Sequence, residues 1–174
     1  MDLRDFCYQS DGAIRYKIDK PWSKGVYTYA TNGHICIRVP RDAAVPERKE
    51  SPNAERLFSE AHVRGEPEWS DIPPHKIKRK RCDQCNGTGY YIDYDLTSCS
   101  ADTENAEKCG CEQGYRLSGY AKIRGPKGEV AIASKYLALI ASLPGAKIGA
   151  TGGESDTVLF KFDGGEGLVM PVRV

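Results

Sequence analysis

The sequence predicts an α+β fold: an antiparallel sheet with one or two packed helices, plus a small metal-stapled insert. Three observations carry this. Apolar residues alternate over residues 26–39 and again over 158–174, the two-residue period of strands with one buried face. Between 134 and 143 the period lengthens to that of an amphipathic helix. In the middle of the chain, two close pairs of cysteines interrupt both patterns.

Residues 22–40 read as a hairpin. Val26-Tyr27-Thr28-Tyr29-Ala30 is rich in strand formers, and Asn32-Gly33 is the preferred central pair of a type I′ turn. On the return strand Ile35, Ile37 and Val39 share one face, and His34, Cys36 and Arg38 the other. Residues 12–19 could supply a preceding strand, and Pro40 ends the pairing. Residues 41–75 are richer in proline and charge. Their one helix-like piece is 53–61, so the stretch reads as a connector, with Trp69 either its anchor or a surface residue.

Residues 76–119 form the cysteine module. It opens with Lys76-Ile-Lys78-Arg79-Lys80-Arg81, five cations in six residues. It continues through Tyr90, Tyr91 and Tyr94 into an acidic loop holding Asp102, Glu104 and Glu107. The first cysteine pair is Cys82-Asp-Gln-Cys85-Asn-Gly87-Thr-Gly89 and the second is Cys109-Gly-Cys111-Glu-Gln-Gly114. Four thiolates in two pairs can close a tetrahedral cage around one Zn²⁺, and the glycines let the chain turn tightly around it. Cys82, Cys85, Cys109 and Cys111 are the expected ligands. Cys99 is the alternative to one of the second pair, because a single residue separates Cys109 from Cys111. A complete Cys₄ set leaves no open coordination position, so a structural metal is expected.

Residues 120–174 are the most regular. Residues 129–133 form a strand and Ser134 is a suitable N-cap. Tyr136, Leu139, Ile140 and Leu143 then lie on one helix face, and Pro144-Gly145 stops the helix. Residues 147–150 make a weak strand. Val158, Phe160 and Phe162 alternate with Leu159 and Lys161, residues 163–167 make a turn, and Leu168, Met170, Val172 and Val174 line the last strand. This order of one helix among strands predicts two packed layers.

Composition narrows the function classes. The 174 residues suit one domain plus a small module, here 1–75 with 120–174 and an insert at 76–119. Net charge is +1, so a nucleic-acid or membrane partner would have to be met by a local patch. No apolar run is long enough for a membrane span, and the start has no basic n-region followed by an apolar one. Of the seven cysteines, four lie in close pairs, which fits a cytoplasmic metal protein better than a disulfide framework. Cys7 and Cys36 read as core thiols. His34, His62 and His75 show no ligand spacing, no nucleophile elbow occurs, and the glycine-rich stretches lack the Lys-Ser/Thr of a phosphate loop. A non-enzyme is expected.

Residues 130–137, 158–162 and the ending Met170-Pro171-Val172-Arg173 resemble the closing repeat of a bacterial DNA sliding-clamp domain, the polymerase β-clamp family. The segment from Tyr29 to His34 is similar to the Ala-Thr-Asp-Gly-His hairpin of such domains. The resemblance implies clamp-like half repeats, with strand, helix and antiparallel strands in order. The cysteine module resembles the CxxCxGxG repeats of DnaJ-type zinc domains, matching one repeat in full and a second in shortened form; this implies zinc and a hairpin-like knuckle. Such knuckles recur as inserts in phage and mobile-element proteins, which makes a phage or mobile-element origin the expectation.

Two functions follow as expectations. One is a DNA-metabolism accessory, contacting nucleic acid through Lys76, Lys78, Arg79, Lys80 and Arg81 beside the zinc knuckle. The other is a protein-interaction inhibitor of a host replication or defence complex, anti-CRISPR-like, acting through the knuckle and the acidic loop without touching DNA. Unpaired sheet edges would suit a dimer.

Overall fold

The structure, a computed structural model, describes residues 1–8, 17–48, 50–92, 106–152 and 156–173. The chain forms two compact units, Met1–His75 with Tyr120–Val174, and Lys76–Gly119. The class is α+β and mainly antiparallel.

The larger unit is built on a seven-stranded sheet. Its strands are β1 (Trp22–Lys24), β2 (Tyr27–Thr31), β3 (Ile35–Pro40), β4 (Ser70–Asp71), β11 (Lys147–Ala150), β12 (Val158–Phe162) and β13 (Gly165–Val169). They lie in the order β1-β2-β3-β13-β12-β11-β4, all antiparallel. The two ends of the chain therefore meet at the β3–β13 pair, where Ile37 faces Gly167 and Cys36 faces Leu168.

Both faces of this sheet are buried, which gives three layers in place of the expected two. On one face Ile35, Ile37, Ile148, Phe160 and Val169 pack with Leu137 and Ile140 of helix α2 (Ser134–Ala141). The same cluster takes Ile123, Val130 and Ile132 from a hairpin of β9 (Tyr120–Gly125) and β10 (Gly128–Ala133). On the other face Trp22, Tyr29, Cys36, Leu159 and Leu168 pack with Ala54, Phe58 and Ala61 of helix α1 (Ala54–Val63). Alternation sends neighbouring residues to opposite cores, so Leu159 and Phe160 are both fully buried. Arg38 is nearly enclosed on the α1 side. Its guanidinium lies over the Tyr27 and Phe58 rings and pairs with Glu166, which His62 also approaches.

Several sequence expectations are corrected. The stretch 41–75 is more than a connector. It supplies α1, which closes the second core, and β4, which extends the sheet. Trp69 packs against that second core, with the Lys161 ammonium over its ring. The β2–β3 turn centres on Gly33-His34, because Asn32 pairs with Ile35. Only Gly33 has positive φ there, whereas type I′ needs it at both central residues. The Asn32 carboxamide accepts from the His34 and Ile35 N–H groups, which holds it in the flank of the turn.

Ser134 is no cap. Strand β10 runs straight into α2, so Ser134 is already the first helical residue, and its Oγ is buried without a hydrogen-bond partner among the described residues. Leu137 is fully buried in the helix face, while Leu139 is only partly so. The expected turn 163–167 shrinks to Asp163-Gly164, since Gly165, Glu166 and Gly167 belong to β13. Gly167 has another purpose than turning: a Cβ there would lie 2.0 Å from Cζ of Phe160, its direct cross-strand partner. The last strand ends at Val169; Met170 is half exposed, and the Val172 N–H donates to the Ala131 carbonyl. The expected strand at 12–19 falls largely outside the described residues, as do Val174, Cys99 and most of the acidic loop.

Candidate metal centre

The smaller unit has two pairs of strands. Strand β5 (Lys78–Arg81) pairs with β8 (Tyr115–Ser118), and β6 (Tyr90–Ile92) pairs with β7 (Ala106–Lys108). Each cysteine pair lies in a knuckle between strands, 82–89 from β5 to β6 and 109–114 from β7 to β8.

The two knuckles are related by an approximate two-fold repeat. The Cys82 N–H donates to the Gly114 carbonyl and the Cys109 N–H to the Gly89 carbonyl, both at 2.8 Å. Each knuckle turns through two consecutive left-handed residues, Asn86-Gly87 in one and Gln113-Gly114 in the other. Gly114 is required twice over. Its φ is +87°, and a Cβ would come within 2.1 Å of the Gly87 carbonyl oxygen.

This geometry brings Cys82, Cys85, Cys109 and Cys111 together. Their Sγ atoms all lie within 4.8 Å of one another. Sγ of Cys82 is 3.8 Å from that of Cys109, and Sγ of Cys85 is 3.5 Å from that of Cys111. A disulfide needs about 2.0 Å, whereas a tetrahedron with metal–sulfur bonds of about 2.3 Å has sulfurs about 3.8 Å apart. The spacing is that of a ligand cage, and the four cysteines could hold a metal ion. They are also the whole buried cluster of this unit among the described residues, with no aliphatic or aromatic side chain in it. A buried cluster made of thiols alone is what a bound metal stabilises.

The thiols differ in acidity. Cys82 is held down to about 6. The Cys85 N–H contributes most, burial opposes, and the Gln84 N–H, the Arg116 guanidinium and the Cys109 thiol add to the lowering. At Cys85 burial raises the pKa, but the Gly89 N–H, which donates to Sγ at 3.3 Å, and the Cys111 thiol outweigh it. Burial raises Cys109, and burial with the neighbouring Cys85 and Cys109 thiols pushes Cys111 up to about 12. Thiolates therefore form more readily in the first knuckle than in the second, and acid would oppose metal binding.

The five basic residues of 76–81 divide by role. Lys78, Arg79, Lys80 and Arg81 form β5 and are exposed throughout. Arg81 is partly structural, donating from Nε to the Asn86 carbonyl of the first knuckle at 2.7 Å. Lys80 forms an exposed pair with Asp83, a contact worth little in water. The Arg79 guanidinium lies over the Tyr115 ring at 4.7 Å. Lys76 and Lys78 have no ion-pair partner among the described residues.

Sequence reasoning missed Arg116, which stands opposite Lys80 and beside Cys82. It also missed that the knuckles repeat a longer pattern, a cation before the first cysteine and Gly-Tyr at the end. That signal was present as Arg81-Cys82 with Gly89-Tyr90, and Lys108-Cys109 with Gly114-Tyr115. No helix among the described residues is long and apolar enough to cross a membrane. No family model, no curated protein and no solved structure matches this chain.

Proposed function

We propose that this chain is a non-enzymatic, zinc-containing binding protein that contacts nucleic acid through the basic ribbon of its cysteine module, as an accessory of DNA metabolism. The observation that carries this is the composition of the β5–β8 ribbon. Of its eight residues, Lys78, Arg79, Lys80, Arg81 and Arg116 are cationic and none is acidic. A cationic, solvent-facing ribbon suits a polyphosphate backbone. Four thiolates at tetrahedral spacing suit zinc. Its role is to stiffen the ribbon, since four sulfurs leave no position for substrate.

The test is fluorescence anisotropy with labelled 20-nucleotide DNA, single-stranded and duplex, over 25–300 mM salt. A triple variant with Lys76, Lys78 and Lys80 changed to Ala spares Arg81 and its knuckle contact. If those three cations each meet a phosphate, the salt slope falls by roughly 2 to 3 and affinity at low salt falls at least about tenfold. Absence of binding at 25 mM salt overturns the proposal. In that case a stable complex with a host replication or defence protein would support the interaction-inhibitor function instead.

A further inference from the structure

We infer that the ligand of this module is single-stranded nucleic acid, with two bases stacked on Tyr90 and Tyr115; this rests on the nucleic-acid function proposed above. The two tyrosines occupy equivalent places in the two-fold repeat. Each follows the glycine whose carbonyl accepts from the first cysteine of the opposite knuckle, Gly89 for Tyr90 and Gly114 for Tyr115. Each opens its return strand opposite the cation that precedes that cysteine, as the pairs Tyr90↔Lys108 and Tyr115↔Arg81. Neither ring belongs to the unit's buried cluster among the described residues, which holds only cysteines. Tyr90 is 54% exposed and Tyr115 is 40% exposed.

A module that shows two tyrosines and a cationic ribbon to solvent matches one ligand class better than its rivals. Duplex DNA keeps its base faces inside the stack and offers a ring only phosphates and groove edges. An unpaired strand offers base faces and phosphates together, and stacking on aromatic rings is tolerant of sequence. The Arg79 guanidinium over Tyr115 adds a second planar surface, and Arg81, the cross-strand partner of Tyr115, puts a further cation on the same face of the ribbon. The same chemistry would accept DNA or RNA.

The test uses the full zinc-loaded chain with labelled dT12, rU12 and a 12-bp duplex at 50 mM salt. Both single strands, or one of them, should bind at least about tenfold tighter than duplex, and a preference between dT12 and rU12 would identify the sugar. Tyr90→Leu and Tyr115→Leu should each weaken single-strand binding by roughly 5- to 150-fold, while Tyr90→Phe and Tyr115→Phe keep it. Zinc content is measured for each variant. Ultraviolet crosslinking of the unaltered chain to dT12, mapped by mass spectrometry, gives an answer even if a Leu variant loses its metal; adducts at Tyr90 or Tyr115 support the inference. Duplex binding as tight as single-strand binding overturns the single-strand assignment and leaves the nucleic-acid function standing. So do zinc-loaded Leu variants that bind like the parent, or adducts confined to the larger unit. No binding of any probe overturns both.

Discussion

Changing Cys82 to Ser should release the metal and unfold residues 76–119 while the larger unit stays folded. Cys82 is fully buried and supplies one of four sulfurs. Structural zinc contributes about 10–16 kcal/mol to small thiolate folds, so a quarter of that, about 2.5–4 kcal/mol, is a minimum for one lost thiolate. Metal affinity should fall roughly 100- to 1000-fold or more. The effect on the larger unit has a ceiling. In the folded protein β5 pairs with β8, so the ends of the insert are held together by its own structure. Once it melts, the larger unit must close a loop of 44 residues, 76 to 119, at an entropic cost of about 3 kcal/mol from (3/2)RT ln n. For a unit of this size that lowers Tm by about 10 °C at most. Both tryptophans, Trp22 and Trp69, lie in the larger unit, so their fluorescence follows it alone. Zinc is read by a chromogenic chelator. Loss of the cooperative tryptophan transition at 25 °C would refute the independence of the two units. Retention of one tightly held zinc would refute the assignment of Cys82 as a ligand.

Two further predictions concern the larger unit. Gly167→Ala should destabilise it by about 3 kcal/mol in urea titrations, since the new methyl meets the enclosed Phe160 ring. Phe160→Leu should recover part of that loss; strict additivity of the two changes would show that the ring is not the obstacle. Burial pushes the Cys36 thiol up to about 12 and Cys7 up to about 11 from an ordinary 9.0, and it also raises the Tyr29 phenol. Above pH 9 the unfolded chain therefore holds fewer protons than the folded one, and stability should decline as pH rises from 9 towards 12, with no such loss below pH 9. Cys36→Ala should flatten that decline, and an unchanged slope would show that folding does not raise the Cys36 thiol.

Local patterns made much of the larger unit legible. The period-two runs at 35–39 and 158–162 and the helix after Ser134 need only their own residues to be recognised, because their apolar residues recur at a regular period. The sequence was least informative where a neighbour decides the conformation. The glycines at 165–167 read as a turn, and the Phe160 ring that makes Gly167 a strand residue is seven positions away. Helix α1 read as part of a connector because its buried stripe, Ala54, Phe58 and Ala61, is short and partly alanine. The stripe gains its meaning only when Trp22, Tyr29 and Leu159 are placed beneath it.

By itself the sequence determined the chemistry of the cysteine module. Thiol pairs at close spacing followed by glycines admit few foldings, and their donor set is readable residue by residue. Only the tertiary structure decided which four thiols converge and that Arg116 joins the basic ribbon. It also decided that Tyr90 and Tyr115 occupy matching exposed positions. Those facts depend on the pairing of β5 with β8 and β6 with β7 across the insert. Such pairings are set by backbone hydrogen bonds between knuckles far apart in the chain, which no local pattern of side chains encodes.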